Sequence, residues 1–111
     1  MIDKASKPLD SFDFFSTLEA SEGPVLVAFV KPGCGACRMV KRALDEVVFP
    51  TFVVDGEDSP GLVADYEVFH FPALFLWFEG EYHARIECPP TPVHLARAVA
   101  EALRAPPQEE P

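Results

Sequence analysis

Three cysteines are all that this chain of 111 residues contains, too few and too unevenly placed for the disulfide framework of a small secreted domain. No apolar run approaches the ~20 residues that a membrane-spanning helix needs, and Met1-Ile2-Asp3-Lys4-Ala5 leads into no signal-peptide hydrophobic stretch. A soluble protein of the cytoplasm is the expectation. Positive charge is also scarce: 9 Lys and Arg stand against 18 Asp and Glu, for a formal charge of -9. Nucleic acid and anionic membrane, which would be repelled before contact, are therefore not expected as partners. Phosphate loops, nicotinamide fingerprints, flavin motifs and internal repeats are all missing.

What is present is enough for one domain with one core: 49% of residues are hydrophobic, ten of them phenylalanine. That domain is placed at residues 1–104, and residues 105–111, rich in proline and acid, are expected to be a mobile tail. The central stretch begins with Val25 to Val30, apolar without alternation, as in a strand covered on both faces. Lys31-Pro32-Gly33 turns the chain, Cys34-Gly35-Ala36-Cys37 follows, and Val40, Leu44 and Val47 recur on one helical face. A helix beginning at Cys34 would aim unpaired N–H groups and its positive end at that sulfur, favouring the thiolate. The same spacing allows a bridge, because Cα atoms three apart in a helix fall within disulfide range. A Cys-x-x-Cys in such a strand-helix-strand setting reads as redox chemistry. Between Glu22 and Asp45 no acidic residue occurs, while Lys31, Arg38, Lys41 and Arg42 do. These cations read either as a solvated helix face or as local positive potential that lowers the Cys34 pKa and draws acidic partners.

Taken in order, Lys7-Pro8-Leu9 suits at most a short edge strand, because proline cannot donate to a ladder. Asp10 or Ser11 is expected to cap a first helix with Phe12, Phe15 and Leu18 turned to the core. The helix after Cys37 should run to about Val48, and Phe49 to Val54 should return as a neighbouring parallel strand by a right-handed crossover. Ser59 and Pro60 suit the start of a short helix through Tyr66. Ala73 to Phe78 is a second wholly apolar strand, and Glu79-Gly80 marks a tight turn. Tyr82, Ala84 and Ile86 then alternate with His83, Arg85 and Glu87, predicting an antiparallel strand buried on one side, with His83 exposed. Thr91 caps and Pro92 begins a last helix that buries Leu95, Ala98, Val99, Ala102 and Leu103 and leaves His94 exposed.

This order, with Leu44-Asp45-Glu46 behind the cysteines and the segment from Tyr66 to Glu81, resembles thioredoxin over nearly the whole chain. The resemblance implies an α/β thioredoxin fold, a central mixed β-sheet flanked by helices, with Pro72 as a cis-proline beside the dithiol and Phe71 before it. It implies a protein disulfide oxidoreductase in which exposed Cys34 attacks a substrate disulfide and more buried Cys37 resolves the mixed disulfide. The Cys34–Cys37 disulfide would be the only redox group, with no other cofactor. The substrate would be a disulfide-containing protein, and a separate reductant protein or small thiol would supply the electrons. The substrate groove would be formed by Lys31, Pro32, Gly33, Gly35, Ala36, His70, Phe71 and Pro72, with Cys88 where thioredoxins often carry glycine on the rim. Several positions depart from the pattern. Gly33 replaces the tryptophan before the first cysteine, Ala36 the proline between the cysteines, and Arg42 the proline that kinks the helix. Ala28 stands where thioredoxins keep a buried aspartate and Thr51 where they keep its lysine partner, so the resolving step is expected to be slow.

Other readings stay open. A redox-silent adaptor would bind a protein partner through the groove around Phe71 and Pro72. An inert, permanently bridged pair would have no chemistry, and a zinc site would require Cys34, Cys37 and Cys88 to converge with His70. His70 reads either as a proton-transfer group near neutral pH or as a plain loop histidine.

Overall fold

The computed structural model describes residues 5–111. Five strands form one sheet in the order β1-β3-β2-β4-β5: β1 (Lys7–Leu9), β2 (Pro24–Val30), β3 (Thr51–Asp55), β4 (Ala73–Phe78) and β5 (Glu81–Ile86). The first three are mutually parallel, whereas β4 runs antiparallel to β2 and β5 antiparallel to β4. Four helices complete the fold: α1 (Phe14–Glu19), α2 (Gly35–Leu44), α3 (Pro60–Asp65) and α4 (Pro92–Arg104). The expected mixed sheet flanked by helices is the observed architecture.

The unbroken apolar sequence of β2 follows from its two faces. Leu26, Ala28 and Val30 pack with α2 and α4, through Cys37, Val40, Leu44, Leu95 and Val99. Val25, Val27 and Phe29 pack with α1 and α3, through Phe14, Leu18 and Leu62. Both faces are dry, so alternation in sequence is lost.

Four local expectations are corrected. Helix α1 begins at Phe14, because Asp10 Oδ1 accepts from the amides of Phe12 (2.9 Å) and Asp13 (3.2 Å) and holds the preceding residues in a turn. Phe14 and Leu18 therefore point inward, while Phe12 is 96% and Phe15 47% exposed. Helix α2 stops at Leu44 rather than near Val48. Asp45 Oδ1 takes a hydrogen bond from Ser6 N (2.8 Å), and Glu46 N closes a tighter turn on Ala43 O (3.1 Å). Ser59 sits at the N-cap of α3, but its buried hydroxyl makes no capping bond.

The fourth correction concerns β5. Leu76 faces Ala84 and Trp77 faces Tyr82, so His83 is an extra residue in the ladder. This bulge breaks the period of two. Tyr82 joins Tyr66, Phe75 and Trp77 on the α3 side, whereas Ala84 and Ile86 face α4. His83 is buried, and its Nε2–H donates to the Ala102 carbonyl at 2.7 Å.

Residues 105–111, expected as a mobile tail, lie back along the β5 edge. Gln108 N donates to His83 O (2.7 Å), Arg85 N donates to Gln108 Oε1 (3.0 Å), and Tyr66 O–H donates to Glu110 Oε2 (2.6 Å). An edge strand offers unpaired backbone groups, and the tail satisfies some of them. Composition alone does not reveal such a long-range partner.

Candidate active site

The loop from β2 to α2 carries Lys31, Pro32 and Gly33, and Gly33 has a φ of 76°, the left-handed region that a glycine enters without strain. Cys34 follows as the N-cap of α2 in an extended conformation, and its Sγ accepts from Cys37 N at 3.1 Å. Gly35 and Ala36 form the first turn, and Cys37 closes it. Cys34 and Cys37 are joined as a disulfide with Cα atoms 5.2 Å apart. The two sulfurs differ in access, since Cys34 is half-buried and Cys37 is 2% exposed.

Opposite them runs the loop into β4. The Phe71–Pro72 peptide is cis, and the Phe71 carbonyl oxygen lies 3.8 Å from Cys34 Sγ, so a reduced Cys34 thiol can donate to it. The Phe71 ring fills space left by Gly56, where a Cβ would come within 2.6 Å of the ring. The Lys31 ammonium sits 5.5 Å from the same ring's centroid. Phe69 projects beyond this loop, 80% exposed.

A hollow lies on each side of the dithiol. One, of about 320 Å³, is lined by Ala36, Val40, His70, Pro72, Arg85, Ile86, Glu87 and Cys88, among others. His70 and Cys88 thus share a pocket, and burial pushes the Cys88 thiol pKa up. The other, of about 280 Å³, is lined by Lys31, Pro32, Gly33, both cysteines, Arg38, Lys41 and Asp55. Among the described residues none of Lys31, Arg38, Lys41 and Arg42 forms an ion pair. Around the half-buried sulfur Lys31, Arg38 and Lys41 outnumber the carboxylate of Asp55, a setting that favours a thiolate at Cys34.

Beneath Cys37 the sheet supplies no charge. Ala28 is wholly buried, and the Thr51 hydroxyl bonds to Ser6 Oγ (2.7 Å) and lies 3.5 Å from Leu44 O. Sequence reasoning did not single out Asp55, Gly56, Arg85 or Glu87. Asp55 had a signal: it stands at even spacing from Thr51 and Val53 and so shares their face of β3.

Among the described residues no three His, Cys, Asp or Glu side chains are grouped to hold a metal ion, and no helix is long and apolar enough to cross a membrane. The arrangement is that of a dithiol at a helix start, able to attack, bridge and reopen, on a thioredoxin fold.

Comparison with known proteins agrees. The Thioredoxin family model matches residues 5–101. Thioredoxin M5, chloroplastic, of Oryza sativa subsp. japonica is 32% identical over 78 residues, which is 65% of this chain and 45% of that protein. A thioredoxin of Pyropia yezoensis is 34% identical over 64 residues, 52% of this chain and 60% of that one. The aligned segments thus span about half the length of these relatives. A chain from a structural study of the thiol resolving mechanism in yeast mitochondrial 1-Cys peroxiredoxin via glutathione/thioredoxin systems superposes with a TM-score of 0.74. It covers 91% of this chain and 99% of its own at 17% identity, a likeness of fold alone. This chain belongs to the thioredoxin family.

Proposed function

We propose that the protein is a thiol-disulfide oxidoreductase that reduces disulfides of a small set of protein substrates through Cys34 and Cys37. The observation that carries this reading is the asymmetry of the pair: Cys34 is half-buried at the helix N-cap, and Cys37 is buried one turn further in. In the reducing direction the Cys34 thiolate attacks one sulfur of a substrate disulfide, and the other leaves as a thiolate and takes a proton. Cys37, as thiolate, then attacks Cys34 Sγ. The second substrate sulfur leaves, and the two electrons gained by the substrate leave the dithiol oxidised to its disulfide. A separate reductant protein or a small thiol restores the dithiol, and no further cofactor takes part. The cytoplasm, a reducing compartment, suits both this direction and the free Cys88.

Lys31, Arg38 and Lys41 around the pair support substrates with acidic residues near the disulfide. Cys37→Ser should trap such substrates covalently on Cys34, and mass spectrometry should find a short, reproducible set. No adduct, together with no turnover of insulin disulfides by the wild-type protein under dithiothreitol, would refute the reading. Exposed Phe69 beside the groove favours one alternative, a redox-silent adaptor. In that case the Cys34→Ser, Cys37→Ser double variant would retain the partner's affinity unchanged.

A further inference from the structure

We propose that Asp55 accepts the proton of Cys37 in the resolving step, an inference that rests on the exchange reaction proposed above. Cys37 is buried in apolar surroundings, where ionisation is disfavoured. Ala28 and Thr51 put no base beneath it. The structure supplies a carboxylate elsewhere on the same face of the sheet. Ala28 pairs with Val53, and two residues further along each strand Val30 pairs with Asp55. Val53, Ala28 and Val30 all pack on the α2 side, and the period of two puts Asp55 there as well. The displacement from the Ala28–Val53 level is about 7 Å along the strand, toward the N-terminus of α2.

Asp55 lines the hollow that both sulfurs line, and among the described residues it is the only carboxylate that does. The charged groups sharing that hollow are Lys31, Arg38 and Lys41, all cations that cannot accept a proton. On its other side Asp55 borders a second hollow with Asp10, Asp13, Asp58 and again Lys41. Its Oδ1 takes the amides of Glu57 (2.8 Å) and Asp58 (3.4 Å), and among the described residues Oδ2 has no partner. Oδ2 is therefore free to take a proton through water in the hollow. His70 lines the opposite pocket and is not placed for this task.

The Cys37 thiol passes its proton through water to the Asp55 carboxylate, and the sulfur's electron pair attacks Cys34 Sγ in the mixed disulfide. The Cys34–substrate S–S bond breaks, the substrate sulfur departs as a thiolate, and protonated Asp55 returns the proton to solvent.

Asp55→Asn tests this, because the amide oxygen can still take the Glu57 and Asp58 amides and hold the turn while no longer accepting a proton. Stopped-flow mixing of the reduced protein with a fluorescent disulfide peptide separates mixed-disulfide formation from resolution. In Asp55→Asn the first phase should not slow, while the second should slow about tenfold or more at pH 7, within the range of general-base contributions. It should recover toward wild type by pH 9, where hydroxide ionises Cys37 directly. Equal second phases at every pH, or equal slowing of both phases, would overturn the inference. If the wild type forms no mixed disulfide at all, it is the oxidoreductase reading that fails.

Discussion

At the scale of single residues, the three cysteines are separated by environment. Cys34 has the helix start, the Cys37 amide and an excess of cations on its side, whereas Cys88 has burial against it. Iodoacetamide added to the reduced protein at pH 7 should therefore modify Cys34 first, with a kinetic pKa below the free value of ~8.5, and Cys88 far more slowly. Faster reaction at Cys37 or Cys88 would reverse that order. Ala28 and Thr51 lead to a second expectation. Asp55 stands about 7 Å along the strand from the Ala28 level, so it is a more distant acceptor for Cys37 than an acid at position 28 would be. Resolution should thus appear as a distinct slow phase, shortened when Ala28→Asp and Thr51→Lys are introduced together. Introduced alone, either would bury an unpaired charge at a cost of several kcal/mol. Cys34 and Cys37 were legible in the sequence because their spacing, the turn before them and the helical pattern after them are all local. Asp55 was not, because its relevance depends on the register of β3 against β2.

At the scale of elements, the same division recurs. The apolar runs of β2 and β4 and the Thr91-Pro92 start of α4 follow from nearest-neighbour chemistry. The face of α1 follows instead from the turn that Asp10 imposes. Phe14 ends up ringed by Phe29, Tyr66 and Trp77, with ring centroids 5.5 to 6.2 Å away. Phe14→Ala should cost about 3–5 kcal/mol, and Phe12→Ala should stay within about 0.5 kcal/mol, a contrast that urea unfolding of the two variants measures directly. The opposite ranking would mean that α1 begins where the sequence pattern alone would put it. The bulge at His83 was illegible for a related reason. Tyr82, Ala84 and Ile86 alternate perfectly as a string, and only pairing with β4 shows one residue too many.

At the scale of the whole molecule, the tail, the β5 edge and the aromatic face are coupled through Tyr66. Its ring is buried among Phe14, Phe29, Phe75 and Trp77, and its hydroxyl donates to Glu110. Burial first, then that hydrogen bond and the charge of Glu110, raise the Tyr66 pKa far above its ordinary value of 10.0. Burial raises Tyr82 in the same direction, although Arg85 opposes it. Below pH 10 the folded and unfolded chains both keep these protons, so tyrosine adds no pH dependence. Above it the unfolded chain releases protons that the folded chain holds, and stability falls with rising pH until the folded-state groups ionise. Urea midpoints should therefore drop steeply from about pH 10 to roughly pH 11.5. Tyr66→Phe should flatten that drop. Removal of residues 106–111 should flatten it less, because the tail supplies the hydrogen bond and charge of Glu110 while burial of the ring remains. An alkaline drop identical in wild type and Tyr66→Phe would show that other groups set it, and that the tail's contact with Tyr66 does not link the C-terminus to the core.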